Sequence, residues 1–302
     1  MRVTLRIAPD AGWLPISFVN VYFLGRAGGP WILVDAGLPG RASQIVQAAE
    51  ARFGAGARPV AIVLTHGHFD HMGSALELAE RWDVPIYAHR LELPYLTGKS
   101  AYPPPDPTIG GAMAFLSRFI PSGGTNLGER VRELQSHEVP GIAGWEWLTT
   151  PGHSPGHISL FRSSDRVLIA GDAFATMNMD SWSGLVTGNQ MLARAGAPFN
   201  FDWEATRTSV KELAKLRPNV TGCGHGVPMQ EADLPGRLER FAERFRPPRH
   251  GRYVREPARA DESGVAFLPP APFDPVPFAT AAGLVAAGVA LGAGYMDRAR
   301  RR

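Results

Sequence analysis

LTHGHFDHMG, residues 64–73, sets His66, His68, Asp70 and His71 inside six consecutive positions. The run before it, PVAIVLT (59–65), is apolar and rich in valine and isoleucine, as a buried strand is. The run after it, HMGSALELAERW (71–82), has helical spacing. The four polar groups therefore sit where a strand hands over to a helix. Loops held by such a scaffold are where functional groups gather. Imidazole and carboxylate at this spacing can converge on one divalent ion. One histidine there would read as an ordinary polar turn; three of the chain's nine, with an acid, do not.

Three more segments repeat the pattern of apolar run and glycine-containing turn. TPGHSPGH carries His153 and His157, LIAGDAF carries Asp172, and TGCGHGVP carries His225. Six of the nine histidines fall in these four segments. Strand-like and helix-like runs alternate along the chain, which predicts an α/β architecture of sheets covered by helices. RVTLRIA and SFVNVYFLG read as paired strands, followed by PWILVDAG and the helix RASQIVQAAEARF. VPIYAH, WEWLTTPGHS, HISLFRS, RVLIAGDAF and NVTGCGHG read as later strands. WEATRTSVKELAKLRP and DLPGRLERFAERFRP read as the last two helices. Residues 99–126, rich in Pro, Gly and Ser, read as a mobile insertion.

At 302 residues the chain can bury a large core, and its 44% apolar and 20% charged content is that of a globular protein. From Arg244 onward ten arginines face five acids, a balance of +5, which leaves about –2 on residues 1–243 of the +3 total. A body of that charge lacks the basic footprint of a nucleic-acid binder, so no nucleic-acid partner is expected. The single cysteine, Cys223, rules out an intrachain disulfide and fits a reducing compartment. With no apolar run of the signal-peptide kind in MRVTLRIAPD, a cytoplasmic location is expected.

THGHFDHMGS resembles the H-x-H-x-D-H signature of the metallo-β-lactamase superfamily, and the later segments match its other landmarks in order over roughly residues 15–230. The resemblance implies an αββα four-layer sandwich with a C-terminal extension. It implies that His66, His68 and His153 hold one metal, that Asp70, His71 and His225 hold a second, and that Asp172 bridges them. Zinc is the default ion for such donors, with iron or manganese accepted by the same set. It also matches Asp35, in LVDAG, to an acid that supports the site; a turn or helix-capping role is the other reading of that residue. His157 is not a ligand in the family pattern and is expected to pack behind His153. Cys223 is expected to be a small buried residue, since the implied chemistry needs no thiol.

That chemistry is hydrolysis by a dinuclear, metal-dependent enzyme. Two ions about 3.5–4 Å apart activate one water for attack on an acyl carbon. Asp70 orients the nucleophile and shuttles its proton. The small-molecule substrate is then an ester, thioester, lactone or related acyl compound. The bridging Asp172 places the chain on the glyoxalase II and lactonase side of the superfamily. Ala175 stands where N-acyl homoserine lactonases place a catalytic tyrosine, and the basic residues that clamp glutathione in glyoxalase II cannot be mapped. The alternative is a redox or persulfide dioxygenase-like protein using one iron. Phe69, Met72, Phe174, Met177, Met179 and Trp182 flank the ligands in sequence, and the insertion adds Tyr102, Phe115 and Phe119. At least half of these are expected to be core; any that line the site's mouth would receive an apolar acyl portion.

The expected catalytic domain is 1–247, and a chain ending near Pro247 is expected to keep its metals and activity. Residues 248–302 are expected to be a linker and a C-terminal helix. FATAAGLVAAGVALGAGYM (278–296) carries no charge over nineteen residues, and DRARRR follows it. Seven alanines and four glycines weaken its insertion into lipid. Two readings stand: docking on the domain or on a partner chain of a homo-oligomer, and membrane association.

Overall fold

The computed structural model describes residues 5–120 and 125–277. Seven strands form the first sheet in chain order: β1 (Leu5–Ala8), β2 (Ala11–Ile16), β3 (Val19–Gly25), β4 (Trp31–Val34), β5 (Ala61–Val63), β6 (Ile86–Ala88) and β7 (Val131–Glu133). The first four pair antiparallel, and β4 to β7 run parallel. The second sheet begins with β8 (Glu146–Thr149), β9 (Ile158–Arg162) and β10 (Val167–Gly171). After the hairpin of β11 (Ala175–Met177) and β12 (Gln190–Ala193), β13 (Val220–Cys223) returns parallel to β10 and completes the order β13-β10-β9-β8.

Helices α1 (Ala42–Phe53), α2 (Phe69–Met72) and α3 (Ala75–Trp82) follow β4 and β5. Short helices α4 (Leu93–Leu96), α5 (Ala112–Leu116) and α6 (Trp182–Thr187) lie in the longer connections. Helix α7 (Trp203–Lys215) is capped by Asp202, whose carboxylate accepts from the amides of Glu204 and Ala205 at 3.1 and 2.9 Å. Its buried residues Trp203, Thr206, Val210, Leu213 and Ala214 recur at helical spacing along one face. Helix α8 (Leu234–Arg244) packs beside α7.

These elements stack in four layers. Ile45, Val46, Leu78 and Trp82 of α1 and α3 bury against Leu14, Phe23 and Leu33 on one face of the first sheet. The opposite face contributes Trp13, Tyr22, Ile32 and Val63 to a core shared with Trp147, Leu160 and Ile169 of the second sheet. That sheet's outer face buries Phe161, Leu168 and Cys223 against Val210, Leu213 and Leu238 of α7 and α8. The αββα sandwich implied by the family resemblance is the observed fold.

Three local departures have physical causes. Strand β2 lies between the two N-terminal runs expected to pair directly, with β1 on one side and β3 on the other. Gly12 and Pro15, both strand-breaking in sequence, conceal it. The expected helix 71–82 is broken into α2 and α3 around Gly73, where a Cβ would meet Pro39 at 2.4 Å. The insertion packs: Asp106, Ala112 and Ala114 are buried.

The compact body runs to Pro269, beyond the expected boundary at 247. Helix α9 (Arg252–Arg255) and the hairpin of β14 (Arg259–Asp261) and β15 (Gly264–Phe267) belong to it. Tyr253 is buried against Tyr95, Tyr102 and Phe201, and its hydroxyl donates to the Pro104 carbonyl at 2.6 Å. The arginine-rich composition of 248–269 conceals these anchors. Of the remaining unit, Pro270–Arg302, residues 270–277 are described. The expected helix 278–296 lies outside the described residues. Among those described, no helix is long and apolar enough to cross a membrane.

Candidate metal centre

All seven residues singled out by the motifs meet beyond the carboxyl ends of β5, β8, β10 and β13, where the two sheets adjoin. His66, His68 and His153 form one triad, and Asp70, His71 and His225 form another. His66 and His71 also group with Asp172. His68 Nδ1 lies 3.0 Å from both His66 Nε2 and His153 Nε2. Asp172 Oδ2 lies 3.4 Å from His153 Nε2 and 3.2 Å from His225 Nε2, and its Oδ1 is 3.7 Å from His71 Nε2. Asp70 Oδ2 is 3.5 Å from His225 Nε2 and 4.0 Å from His71 Nε2. The carboxylate of Asp172 thus faces both triads.

Backbone geometry makes this proximity attainable. The Gly224 carbonyl accepts from Asn20 N at 2.8 Å, and the Gly224 amide donates to the Gly171 carbonyl at 2.8 Å. A Cβ on Gly224 would stand 2.0 Å from Asp172 Oδ1. Only glycine lets the β13 loop come this close. The Asn20 side chain donates to the carbonyls of Cys223 and Gly226, and the Tyr22 hydroxyl donates to Cys223. Cys223 is fully buried, and burial pushes its thiol well above the ordinary value.

The imidazoles are oriented from behind. His71 Nδ1 lies 2.8 Å from Asp35 Oδ2, and His225 Nδ1 lies 2.8 Å from the Phe18 carbonyl. Both contacts turn Nε2 into the cluster. Asp35 also accepts from the Thr65 amide at 2.7 Å and holds a left-handed φ of 59°. Its contacts are those of an acid behind His71; no helix N-terminus is among them. His157 Nε2 accepts from the Asp172 amide at 2.8 Å while its Nδ1 meets Thr150 Oγ1 at 2.8 Å. It therefore fixes the backbone of Asp172.

Glu92 is a residue the motifs did not reveal. Its side chain is fully buried. One oxygen accepts from the Gly67 amide at 2.9 Å and from the Tyr102 hydroxyl. The other accepts from the Ser154 hydroxyl and the Gly156 amide, both at 2.7 Å. One carboxylate thereby ties the loop of His66 and His68 to the loop of His153. Burial pushes its carboxyl up, against the pull of these four donors. A lone glutamate in HRLELPYL carries no signal, because its partners lie up to 64 residues away.

Charge divides the cluster. Burial lowers His68 to about 4 and holds His66 and His153 well below their ordinary value, so their lone pairs are free at neutral pH. Burial also acts against protonated His71, but Asp172, Asp35 and Asp70 outweigh it and raise His71 well above 6.5. Burial opposes ionised Asp172, yet His225 and His71 hold it well below 3.8. His71 Nε2 and Asp172 Oδ1 are buried without a hydrogen-bond partner, a costly state that a cation between them relieves. Nitrogen and carboxylate donors of this number and spacing fit divalent ions.

Beside the cluster opens a cavity of 380 Å³, and His68, Asp70, His153, Asp172 and His225 form part of its wall. Of the nine aromatic and methionine residues singled out near the ligands and in the insertion, at least half expected to be core, Phe69, Met72, Tyr102, Met177 and Met179 line the cavity. Phe174 belongs to the core against α8, and Phe115, Phe119 and Trp182 point to solvent.

The metallo-β-lactamase superfamily model matches residues 14–225. A probable metallo-hydrolase of Bacillus subtilis, YflN, is 42% identical over 236 residues, covering 77% of this chain and 89% of that protein. A hydroxyacylglutathione hydrolase of Xanthomonas axonopodis pv. citri is 27% identical over 215 residues, covering 70% of this chain and 62% of that protein. The solved structure of the metallo-β-lactamase superfamily protein ST1585 from Sulfolobus tokodaii superposes with a TM-score of 0.52 at 22% identity, over 78% of this chain and 86% of that one. With the motif residues gathered at the meeting of the two sheets and the family model spanning both, the chain belongs to the metallo-β-lactamase superfamily.

Proposed function

We propose that the protein is a two-metal hydrolase of acyl substrates, acting on an ester, thioester or lactone. The observation that carries this reading is the carboxylate of Asp172, with one oxygen 3.4 Å from His153 Nε2 and 3.2 Å from His225 Nε2. His66, His68 and His153 would hold one ion, Asp70, His71 and His225 the other, and Asp172 both. Bound there, divalent ions lower the pKa of a water and polarise the acyl carbonyl. Asp70, on the cavity wall, takes the proton of the attacking water on its carboxylate and returns it to the leaving group. The water oxygen bonds to the acyl carbon, the acyl–oxygen or acyl–sulfur bond breaks, and the free acid departs. The names of the YflN and hydroxyacylglutathione hydrolase relatives support hydrolysis.

Metal analysis with kinetics tests this. The purified protein should carry two divalent ions per chain, and Asp172→Ala about one. Asp70→Asn should lower kcat by about a hundredfold or more with little loss of folding. One iron per chain with no hydrolysis of any ester, thioester or lactone would establish the single-iron alternative instead.

A further inference from the structure

The cavity beside the cluster differs sharply from it in chemistry. Apart from the five cluster residues, its described wall holds neither an ionisable acid nor a lysine or arginine. Tyr102 brings the one hydroxyl, already engaged by Glu92 and the Gly67 amide. The remainder is hydrocarbon, aromatic ring, glycine and thioether. Met113, Leu116, Ile120, Met177, Met179 and Leu185 form one continuous apolar patch with Phe199 packed against it. Four of the chain's eight methionines line the cavity. Thioether side chains adapt to irregular apolar shapes and do not specify one.

From this wall we infer that the acyl group hydrolysed is an uncharged apolar chain of medium length, accepted by class and not by detailed shape. The inference rests on the acyl-hydrolase reading and adds the substrate's chemical class to it. A chain whose carbonyl sits at the cluster extends its methylenes along Met177, Met179 and Leu185. Each methylene so buried contributes apolar surface removed from water. A terminal carboxylate carried to the same place meets no lysine or arginine among the described wall residues, and outside the cluster no side-chain donor but the engaged Tyr102 hydroxyl. An unpaired charge there is strongly disfavoured. The short polar acyl group of a hydroxyacyl thioester would leave most of the cavity empty.

Two measurements on the full-length protein test this separately from hydrolysis itself. First, 4-nitrophenyl esters from acetate to decanoate should give kcat/KM rising about two- to fourfold per methylene until the cavity is full. The matched mono-adipate ester should fall about a hundredfold below the hexanoate. Leu185→Lys should narrow that hexanoate-to-adipate ratio, which a merely structural change would leave in place. Second, calorimetric titration with straight-chain alcohols, which cannot be hydrolysed, should show Kd falling about two- to fourfold per methylene from butanol to decanol. Ester hydrolysis without chain-length preference, or with the adipate accepted equally, overturns the inference and leaves the hydrolase reading standing. Alcohol binding that tightens with length, in a protein that hydrolyses no ester, thioester or lactone, upholds the apolar site and overturns the hydrolase reading.

Discussion

Asp35 Oδ2 stands 2.8 Å from His71 Nδ1, and this contact decides which nitrogen of His71 faces the cluster. The carboxylate holds the proton on Nδ1 and leaves Nε2 as the donor. Asp35→Asn keeps the shape and tolerates the left-handed φ of 59°. It should weaken the ion at Asp70, His71 and His225 by about ten- to a hundredfold and spare the other. A competitive chelator titration measures this; equal affinity in variant and parent would reduce Asp35 to a turn residue.

Glu92 should be intolerant even of glutamine. All four of its partners donate, so a carboxamide must set an N–H against two other donors. Glu92→Gln and Glu92→Ala should each cost on the order of 2–4 kcal/mol in denaturant unfolding. Both should also loosen the ion at His66, His68 and His153, because Glu92 aligns the two loops that carry them. Unchanged stability with a fully loaded site would remove that role.

The cluster's split in proton affinity predicts an order of metal loss. Acidic neighbours raise His71 and His225 above 6.5, so at these positions a proton competes with the ion from above that pH downward. His68 competes only near 4, and His66 and His153 only well below 6.5. As pH falls from mildly alkaline to mildly acidic, the ion at Asp70, His71 and His225 should leave first. Metal content after equilibration at each pH reads the order, and simultaneous loss would contradict it. In the metal-free protein, raised histidines contribute stability that is complete below 6.5 and fades as pH climbs through their folded values. Asp172, depressed, contributes above 3.8 and fades as pH drops through its own. Their pairing therefore stabilises the metal-free chain most between 3.8 and 6.5.

Truncation separates the body from the tail. A chain ending at Pro247 loses Tyr253, which is 1% exposed, and the backbone amide of Arg252 that donates to buried Asp106 at 2.6 Å. It should lose about 3–5 kcal/mol of stability, in the range for emptying a buried aromatic site. A chain ending at Pro269 should keep the parent's unfolding midpoint and metal content. Equal stability of the two truncations would restore the boundary at 247.

The seven clustered residues were legible in sequence because each follows an apolar run that ends in a glycine-marked turn; the alternation of strands and helices gave the α/β class, and the four layers came from the family resemblance. Glu92, Thr65 and Thr150 were not, since a residue that supports another from behind carries no spacing of its own. Strand β2 was hidden by Gly12 and Pro15, whose breaker signals lost to pairing on both sides. The packing of 99–120 and 248–269 was hidden by composition. Prolines and arginines read as linker, while a few long-range anchors such as Asp106 and Tyr253 hold both segments in place.

The first sheet is built wholly from residues 5–133 and the second wholly from residues 146–223. His66, His68, Asp70 and His71 belong to the earlier stretch, His153 and Asp172 to the later one, and His225 follows the later one by two residues. Neither half owns a complete triad, so the cluster is a seam between two separately threaded pieces of chain. During synthesis from the N-terminus, the first four donors emerge with no partner from the other side, and His225 arrives last. Full-strength capture of metal must wait until the sheets have closed on each other. Because ion binding at the cluster would then contribute directly to the stability of the closed form, the cluster would double as the latch of the sandwich.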